Sequence, residues 1–384
     1  MKFLHTADWH LGKLVQGVYM TEDQRFILEQ FVYAVEAEQP DAVIVAGDLY
    51  DRAVPPTEAV KLLDETLEKI VLDLNIPVIA VAGNHDSPSR LHFASSIMKS
   101  RGFHVTGEFT EDFEPIKLND EYGEVHFHTI PYTDPSIIRI VTGDEEIRTH
   151  NDAARKIVDL IKEQMDAKAR HVFVGHLFVT PYGEEQENTS DSERPLSIGG
   201  AEYVSSEIFN VFHYTALGHL HQAHYTGEST IRYSGSPLKY SSSEAKHQKG
   251  FYVVDLDEQG NATIDKQLFN PKRDMRVIKG KMEELLSETP SEDYVFVHLE
   301  DETPILSPME KIRAVFPNTL HIHREISVST AGHSFASPAK RDEMDRVSLF
   351  KSFYYEVKGT ELKKEEEIIF KEILEEFERE ERNQ

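Results

Sequence analysis

Five short motifs place histidine, aspartate or asparagine side chains directly after apolar stretches of the sequence. In chain order they are Asp8-x-His10, Gly47-Asp48-x-x-Asp51, Gly83-Asn84-His85-Asp86, Gly175-His176 and Gly218-His219-x-His221. Mixed imidazole and carboxylate ligands suit manganese, iron or zinc, and suit magnesium poorly. The motifs supply more ligands than one tetrahedral ion needs, so we expect two ions that share a bridging carboxylate. Such a pair activates water and neutralises charge developing on phosphorus, which predicts hydrolysis of a phosphate ester.

The third motif illustrates how the elements must position these side chains. It follows the run 78–82, whose small and β-branched residues predict a strand covered on both faces. Gly83 allows a sharp exit from the strand, and functional residues of open α/β sheets favour that end. An Asn-His-Asp tripeptide alone is more often an ordinary polar turn. Its interpretation as a site therefore depends on the other four motifs.

Strands and helices alternate along the first part of the chain. Strands predicted at 2–7, 42–46 and 78–82 are separated by a helix over 21–38, with Thr21 as its N-cap, and a helix starting at Thr57. This β-α-β-α-β order predicts a parallel sheet with right-handed crossovers. Further helices are expected at about 88–101 and 151–166, and further strands at 124–131, 171–174, 230–234 and 250–256. The polar residues 181–200 predict a long functional or mobile loop.

The composition changes after Asn270-Pro271. Strands at 275–280, 294–299 and 319–326, with short helices at 281–288 and 307–316, predict a small α+β unit. Beyond Pro338 only helix signals remain, at about 343–358 and 361–382. The last helix carries an apolar stripe among many charges, which is typical of a helix that needs a partner.

Composition excludes some classes of protein. The 384 residues contain no cysteine, so disulfides and thiolate metal sites are excluded. The absence of an 18-residue apolar run and of a signal-peptide pattern predicts a cytoplasmic protein. A net charge of −27 argues against a simple basic DNA-binding protein. Divalent ions would offset this charge locally, or a more basic partner would share contact with nucleic acid.

The five motifs, in this order and at strand ends, resemble the calcineurin-like metallophosphoesterase superfamily. Within it the chain resembles the SbcD family, the nuclease subunits of bacterial SbcCD complexes. That closer resemblance rests on the segments 4–12, 46–51, 191–200, 216–221 and 233–237. It implies an α/β fold, a β-sandwich flanked by helices in four layers (α-β-β-α). The implied domains are a nuclease domain at 1–270, a small α+β capping domain at 271–337 and a C-terminal helix-loop-helix at 338–384.

The resemblance also implies a role for each motif residue. One metal ion would be held by Asp8, His10, Asp48 and His221. The second would be held by Asp48, Asn84, His176 and His219, with Asp48 as the bridge. His85 would contact the scissile phosphate and assist the leaving oxygen, as an imidazole near a phosphate can. Asp51 and Asp86 would either support neighbouring site residues or act as plain caps.

The function implied by the resemblance is that of a metal-dependent DNA nuclease in repair, recombination and replication. It would degrade duplex ends as an exonuclease. With ATP and SbcC, an SMC-like ATPase, it would open hairpins and process breaks as an endonuclease within a heterotetramer. Mn²⁺ is the expected activating ion, with Mg²⁺ as the alternative. The C-terminal helices would bind the SbcC coiled coil, with a solvated acidic tail as the alternative. The apolar stripe at 60–74 is expected to be mainly core, and the resemblance implies a homodimer contact there as well. A cytoplasmic, nucleoid-associated location follows.

Two other functions stay open from the sequence. A small-molecule phosphoesterase, such as a nucleotidase or cyclic-nucleotide phosphodiesterase, accounts better for the acidic charge but gives the C-terminal units no role. A non-catalytic scaffold disagrees with the complete ligand set. Arg90, Arg194 and Lys239 are candidates for DNA contact. Trp9 is expected to pack beneath the site, and His5 to be structural. The remaining histidines are expected to have ordinary surface or core roles.

Overall fold

A computed structural model describes residues 1–110, 114–182, 191, 193, 202–301, 303–324, 345–358 and 361–382. Among these residues, no helix has the length and apolar character needed to cross a membrane. The strands, in chain order, are β1 (Lys2–Thr6), β2 (Leu14–Val15), β3 (Val18–Tyr19), β4 (Ala42–Val45), β5 (Val78–Val81), β6 (Phe103–Thr106), β7 (Ile116–Asp120), β8 (Gly123–Ile130), β9 (Arg170–His176), β10 (Phe178–Thr180), β11 (Tyr203–Ser205), β12 (Tyr214–Gly218), β13 (His224–Thr226), β14 (Glu228–Tyr233), β15 (Gly250–Leu256), β16 (Ala262–Leu268), β17 (Met275–Gly280), β18 (Tyr294–Leu299) and β19 (Thr319–Arg324).

The α-helices are α1 (Thr21–Glu38), α2 (Thr57–Leu67), α3 (Pro88–His92), α4 (Ser95–Lys99), α5 (Pro135–Thr142), α6 (His150–Gln164), α7 (Met282–Leu286), α8 (Pro308–Arg313), and two C-terminal helices, Arg346–Lys358 and Lys364–Arg382. A π-helical segment, Glu68–Asp73, continues α2. Short 3₁₀ turns lie at Ser206–Phe209 and Ser242–Glu244. The elements predicted from the sequence are therefore present, with bounds that differ by a few residues.

Two six-stranded sheets form the centre of the fold. The first has the order β16-β15-β1-β4-β5-β6, in which β1, β4, β5 and β6 are parallel, β15 is antiparallel to β1, and β16 is antiparallel to β15. The second has the order β13-β14-β12-β9-β8-β7, in which β14, β12, β9 and β8 are parallel and the two edge strands are antiparallel. Each sheet therefore contains a block of four parallel strands whose carboxyl ends lie at one edge.

Alternation along the strands divides the apolar side chains among three cores. In β1, Phe3 points into a core between the two sheets, and Leu4 points into a core shared with α1 and α2. In β9, Val172 and Val174 face the first of these cores, whereas Phe173 faces α6. The layers are therefore helix, sheet, sheet, helix. The predicted four-layer α/β fold is confirmed.

Three local predictions need correction or fall outside the described residues. Thr21 does not cap α1, because the helix begins at Thr21 itself and Met20 occupies the cap without a side-chain hydrogen bond. The helix predicted at 88–101 is two short helices, because Ala94 adopts a left-handed backbone with φ of 60°. Most of the predicted loop at 181–200 lies outside the described residues.

The chain divides into two compact units. One comprises Met1–Ile278, Glu288–Val297 and Met309–His321, and contains both six-stranded sheets. The other comprises Lys279–Ser287, His298–Pro308 and Ile322–Gln384. Within this second unit the two C-terminal helices pack together through Phe350 and Phe370, whose rings stack with centroids 3.8 Å apart. Strands β17, β18 and β19, of which residues 275–278, 294–297 and 319–321 belong to the first unit, form a sheet in that order.

A buried ion pair at the amino ends of the parallel strands permits a stability prediction. Arg170 donates to both carboxylate oxygens of Asp120 at 3.0 and 2.5 Å. Burial acts to raise the pKa of Asp120, but the hydrogen bonds from Arg170 bring this pKa below its usual value. We expect Asp120→Asn to lower the free energy of unfolding by about 3 kcal/mol at pH 7, because it leaves Arg170 without its carboxylate.

The same substitution has an expected pH dependence. A carboxylate whose pKa is lowered on folding contributes stability above its unfolded pKa of about 3.9, and that contribution is lost as the pH falls. The difference in urea midpoint between wild type and Asp120→Asn should therefore shrink below about pH 4. A difference that stays constant down to about pH 2.5 would contradict this account.

Candidate active site

The five predicted motifs meet at the carboxyl ends of parallel strands from both sheets. Asp8 and His10 follow β1, Asp48 follows β4, and Asn84 and His85 follow β5 in the first sheet. His176 ends β9, and His219 and His221 follow β12 in the second sheet. The six histidine and aspartate side chains among the predicted ligands are buried, and Asn84 is half-buried. The sequence prediction that these strand ends adjoin is therefore correct.

The backbone at these positions adopts unusual conformations. Asp8, His10, Asp48 and His219 have φ values of 54°, 45°, 49° and 104°. Left-handed backbone is uncommon outside glycine, although aspartate, asparagine and histidine tolerate it best. It turns each side chain sharply away from its strand, toward the point where the two sheets meet.

Two glycines allow the loops to approach that point closely. A Cβ atom on Gly83 would collide with the carboxylate and backbone nitrogen of Asp48. A Cβ atom on Gly218 would collide with the carbonyl oxygen of Ala46, across the gap between the sheets. Glycine is required at both positions because no larger residue fits there.

Asp8, His10 and His221 form one group whose potential ligand atoms all lie within 4.8 Å of one another. The Nε2 atoms of His10 and His221 face each other at 3.0 Å. Asp8 Oδ1 accepts the backbone N–H of His219 at 2.9 Å. Asp8 Oδ2 and His10 Nδ1 are buried and form no hydrogen bond within the described part of the chain. Atoms of this group, among them Asp8 Oδ2, thus have lone pairs that are available to a metal ion.

Asp8, Asp48 and His176 form a second such group. His176 Nδ1 donates to the carbonyl oxygen of Ala46 at 3.0 Å, so its Nε2 carries a lone pair in the neutral ring. That nitrogen faces Asn84 Oδ1 at 2.9 Å and Asp48 Oδ2 at 3.5 Å. Asp48 Oδ2 also lies 3.6 Å from His10 Nε2. Asp48 therefore lies between the two predicted ligand sets, where a bridging carboxylate is needed.

His219 is brought near the other ligands less closely. Its ring centroid lies 5.4 Å from that of His176, and it belongs to neither group. A third group, found among the described residues like the other two, comprises His10, Asp51 and His85.

Burial controls the charge of the site. It lowers the pKa of His176 to about 4 and the pKa values of His10 and His219 well below their usual range, so these rings are neutral near pH 7. Neutral imidazole is the form that binds metals. Burial, with Asp48 nearby, also raises the pKa of Asp8. Two carboxylates enclosed this way need a nearby positive charge to ionise together.

His85 is oriented differently from the ligands. Its Nδ1 donates to the carbonyl oxygen of Asp51 at 2.8 Å, and its backbone N–H donates to Asp48 Oδ1 at 2.8 Å. Its ring meets the His10 ring edge-on, with centroids 4.7 Å apart. Among the described residues nothing hydrogen-bonds to its Nε2. This nitrogen is thus available to a group outside the ligand cluster.

Asp86 and Asp51 hold loops in place. Asp86 accepts backbone N–H groups of Leu49, Tyr50 and Gly83 at 2.9 to 3.1 Å, which ties the loops after β4 and β5 together. These three hydrogen bonds go to backbone and not to the His85 ring. Asp51 contributes its carbonyl oxygen to His85, and its carboxylate pairs with the Lys13 ammonium at 2.8 Å.

Three supporting residues do not follow from the sequence motifs: Gln24 and Tyr240, which hold the loop after β1, and Glu244, which lies beside His221. Gln24 in α1 accepts the backbone N–H of Gly12 and donates to the carbonyl oxygens of Trp9 and His10, at 2.7 to 3.2 Å. The hydroxyl of Tyr240 also donates to the Trp9 carbonyl, at 2.6 Å. Glu244 lies 3.1 Å from His221 Nδ1. A polar residue within the buried stripe of α1 was the one available signal for Gln24.

Other predicted roles can be compared with positions in the structure. Trp9 is buried, donates to Thr6 Oγ1 and packs against Phe31, so the packing role is confirmed. His5 is buried and bonded to the Tyr214 hydroxyl, as a structural residue would be. Lys239 was a poor candidate for DNA contact, because its ammonium is bonded to Asp274 and two carbonyl oxygens. Arg90 is exposed, and Arg194 lies outside the described residues.

Comparison with known proteins agrees with this geometry. A family model described as calcineurin-like phosphoesterase matches residues 1–223, and the chain belongs to that family. A second model, described as type 5 capsule protein repressor C-terminal domain, matches residues 271–358. The chain is 34% identical over 354 residues to the SbcD subunit of nuclease SbcCD from Staphylococcus epidermidis, covering 91% of this chain and 92% of that protein. The resemblance to the SbcD family is confirmed.

Two solved structures are similar over the greater part of the chain. TT1561 of Thermus thermophilus is 12% identical, with a TM-score of 0.38, covering 69% of this chain and 98% of that one. A dimetal phosphatase from Danio rerio is 11% identical, with a TM-score of 0.40, covering 70% of this chain and 96% of that one.

The family implies divalent metal ions, and the residues present fit them. The unpartnered oxygen of Asp8 offers lone pairs to a cation, and the lone pairs of His176 Nε2 and Asn84 Oδ1 face each other with no proton between them. Such an arrangement is repulsive unless a cation is shared. The donor set of neutral imidazoles, carboxylates and an amide oxygen suits divalent first-row metals.

We expect Gly83→Ala to weaken metal binding, because its methyl group would displace the Asp48 carboxylate. Overpacking of this kind costs about 1–3 kcal/mol of stability. Isothermal titration of the metal-free protein with Mn²⁺ measures the effect. Gly280→Ala is the matched control, since a Cβ there meets the flexible end of Glu284 at 3.2 Å and the Leu285 side chain at ordinary contact distances of 3.6 and 3.7 Å. Equal Mn²⁺ affinity in both variants would contradict the close-approach argument.

We expect His85→Ala to retain metal binding and lose turnover. General acid–base groups contribute about 10²- to 10⁴-fold to rates, so kcat on a nitrophenyl phosphodiester should fall by that factor. The exposed His92→Ala variant serves as the control. Loss of Mn²⁺ binding in His85→Ala would instead make His85 a ligand, as its membership of the third group allows.

Proposed function

We propose that the chain is a two-metal phosphodiesterase that hydrolyses DNA, as the nuclease subunit of an SbcCD-type complex. The observation that carries the proposal is the meeting of seven potential metal ligands and His85 at one junction between two sheets. The relative from Staphylococcus epidermidis, which is named as a nuclease of the SbcCD complex, supports DNA as the substrate. Exonuclease activity on duplex ends, and ATP-dependent cleavage of hairpins and breaks, are the finer parts of the proposal.

The proposed ligand sets are those implied by the resemblance to the SbcD family. Asp8, His10, Asp48 and His221 would hold one ion. Asp48, Asn84, His176 and His219 would hold the other. The ions, proposed as Mn²⁺ with Mg²⁺ as the alternative, would activate the attacking water and neutralise charge on the phosphoryl group. His85 would present its Nε2 to the phosphate, because Asp51 fixes the opposite nitrogen.

Asp51 and Asp86 are proposed as positioning residues. Asp86 links its own loop, which carries Asn84 and His85, to the loop that carries Asp48 through the backbone N–H groups of Leu49 and Tyr50, and it braces its own loop through Gly83. A displacement of either loop would therefore move both a ligand and the phosphate-binding histidine. Neither carboxylate is proposed to touch the reacting atoms.

The partner is proposed to be SbcC, an SMC-like ATPase, in a heterotetramer. The two C-terminal helices support this, because they expose Phe353, Ile368, Ile369 and Ile373, each more than half accessible to solvent. The SbcC coiled coil would bury these apolar side chains, as a groove buries the apolar face of an amphipathic helix. The domain bounds 1–270, 271–337 and 338–384, and a cytoplasmic, nucleoid-associated location, remain part of the proposal.

A homodimer through the nuclease domain is also proposed. The helical segment 57–73 buries Leu62 and Leu63 but leaves Val60 and Leu72 exposed, at 45% and 59%. Light scattering that gives a clean monomer at micromolar concentration would remove this part of the proposal and leave the catalytic part intact.

Digestion of DNA separates the proposed function from its main alternative. We expect end-labelled duplex DNA to be shortened in the presence of Mn²⁺ and left intact with EDTA, with hairpin opening when SbcC and ATP are added. The net charge of −27 favours the alternative, a small-molecule phosphoesterase. Hydrolysis of nucleotides or a nitrophenyl ester without cleavage of either DNA would establish that alternative.

Partner binding is expected to depend on the C-terminal helices alone. A chain ending at Pro338 should keep Mn²⁺-dependent hydrolysis and lose SbcC binding in pull-down. The full-length double variant Ile369→Glu and Ile373→Glu provides a second measurement that leaves the chain whole. Retained SbcC binding by both proteins would contradict the assignment of the partner surface.

A further inference from the structure

His221 is held from behind by a buried ion pair. Its Nδ1 lies 3.1 Å from Glu244 Oε1, and the other oxygen of Glu244 accepts the Lys249 ammonium at 2.5 Å. Glu244 is completely buried and the Lys249 side chain is 8% exposed. No motif contains either residue, and the proposed chemistry uses neither.

Lys249 also fixes the backbone around His221. Its ammonium donates to the His221 carbonyl oxygen at 2.8 Å and to Ser236 Oγ at 2.7 Å. The backbone N–H of His221 donates to Glu193 Oε1 at 2.6 Å. The main chain of this one histidine is therefore held on both sides by charged groups, in addition to the contact on its ring.

The geometry determines which nitrogen of His221 carries the proton. Lys249 can only donate, so the carboxylate facing it is an acceptor, and its second oxygen accepts from His221 Nδ1. The lone pair of the neutral ring then lies on Nε2, the atom that faces His10 Nε2 at 3.0 Å. A histidine that donates its second nitrogen to a carboxylate is a common arrangement around metals, where it fixes ring orientation and tautomer.

We propose that Glu244 and Lys249 act as a positioning pair that presents His221 Nε2 as a metal ligand. The inference rests on the metal site of the proposed function and adds to it two residues that touch neither substrate nor metal. Lys249 directs the Glu244 carboxylate, and Glu244 selects the tautomer of His221.

The substitution Glu244→Gln provides the central test. The amide oxygen should turn toward Lys249, which leaves the NH₂ group facing His221 Nδ1 and selects the tautomer protonated on Nε2. We expect Mn²⁺ affinity, measured by isothermal titration of the metal-free protein, to fall about 10- to 100-fold at one of two sites. Adding Lys249→Met frees the amide to turn its oxygen to His221 and should restore part of that loss, because the contacts of Lys249 with the His221 carbonyl oxygen and Ser236 are lost as well.

A spectroscopic measurement reports the tautomer without metal or substrate. Long-range ¹⁵N–¹H spectra of ¹⁵N-histidine-labelled, metal-free protein should show His221 protonated on Nδ1 in the wild type and on Nε2 in Glu244→Gln. A His221→Gln variant identifies the signals. A protein in which Glu244 is merely structural would show no tautomer change and no rescue by the second substitution.

Asp120→Asn is the matched control, because it breaks another buried ion pair away from the strand-end site. It should lower stability and leave Mn²⁺ affinity unchanged. Wild-type Mn²⁺ affinity in Glu244→Gln, or equal weakening in the single and double variants, would overturn the positioning pair alone. A wild-type protein that binds no Mn²⁺ would overturn the proposed function itself, so the two failures are distinguishable.

Discussion

The structure depends on bringing buried carboxylates and neutral imidazoles to one point between two sheets. Taking charged groups out of water is costly unless they are paired and hydrogen-bonded. Here Asp8 and Asp48 are completely or almost completely buried, and burial raises the pKa of both. Backbone N–H groups from His219 and His85 offset part of this cost. The remaining ligand atoms of the carboxylates and imidazoles are turned toward one another, which makes the cluster a site for divalent cations.

The same cluster also joins the two sheets. Asp8, which follows a strand of the first sheet, accepts from the backbone of His219 in the second. His176 of the second sheet donates to the Ala46 carbonyl of the first, and Gly218 leaves room for that close approach. Ligand positions are thus set by atoms from both sheets. The same contacts build the sandwich and the site, so a change in packing between the sheets would change the distances between the ligand atoms.

The sequence predicts those features of the structure whose signal lies within a few consecutive residues. The apolar, β-branched run at 78–82 predicts β5, and the glycine-ended motifs predict the site, because chain direction brings parallel strand ends together. The partners of Glu244 and Gln24 could not be predicted, because each residue contacts a loop that it reaches only through tertiary packing, and neither belongs to a motif. The role of Asp86 does not follow from the sequence for the same reason, since two of its three partners, Leu49 and Tyr50, lie on another loop. The helix predicted at 88–101 was wrong in its length because nothing in its periodicity indicates the reversal at Ala94.

The positive φ values at Asp8, His10, Asp48 and His219 bear on how this protein would evolve or be engineered. Each such residue carries about 1–3 kcal/mol of backbone strain, which glycine at the same position would relieve. Backbone strain therefore favours glycine at these positions, whereas the hydrogen bonds that Asp8 and Asp48 accept from the backbone of His219 and His85 favour the residues present. Replacement of Asp8 or Asp48 by glycine would relieve strain and at the same time loosen the junction between the two sheets.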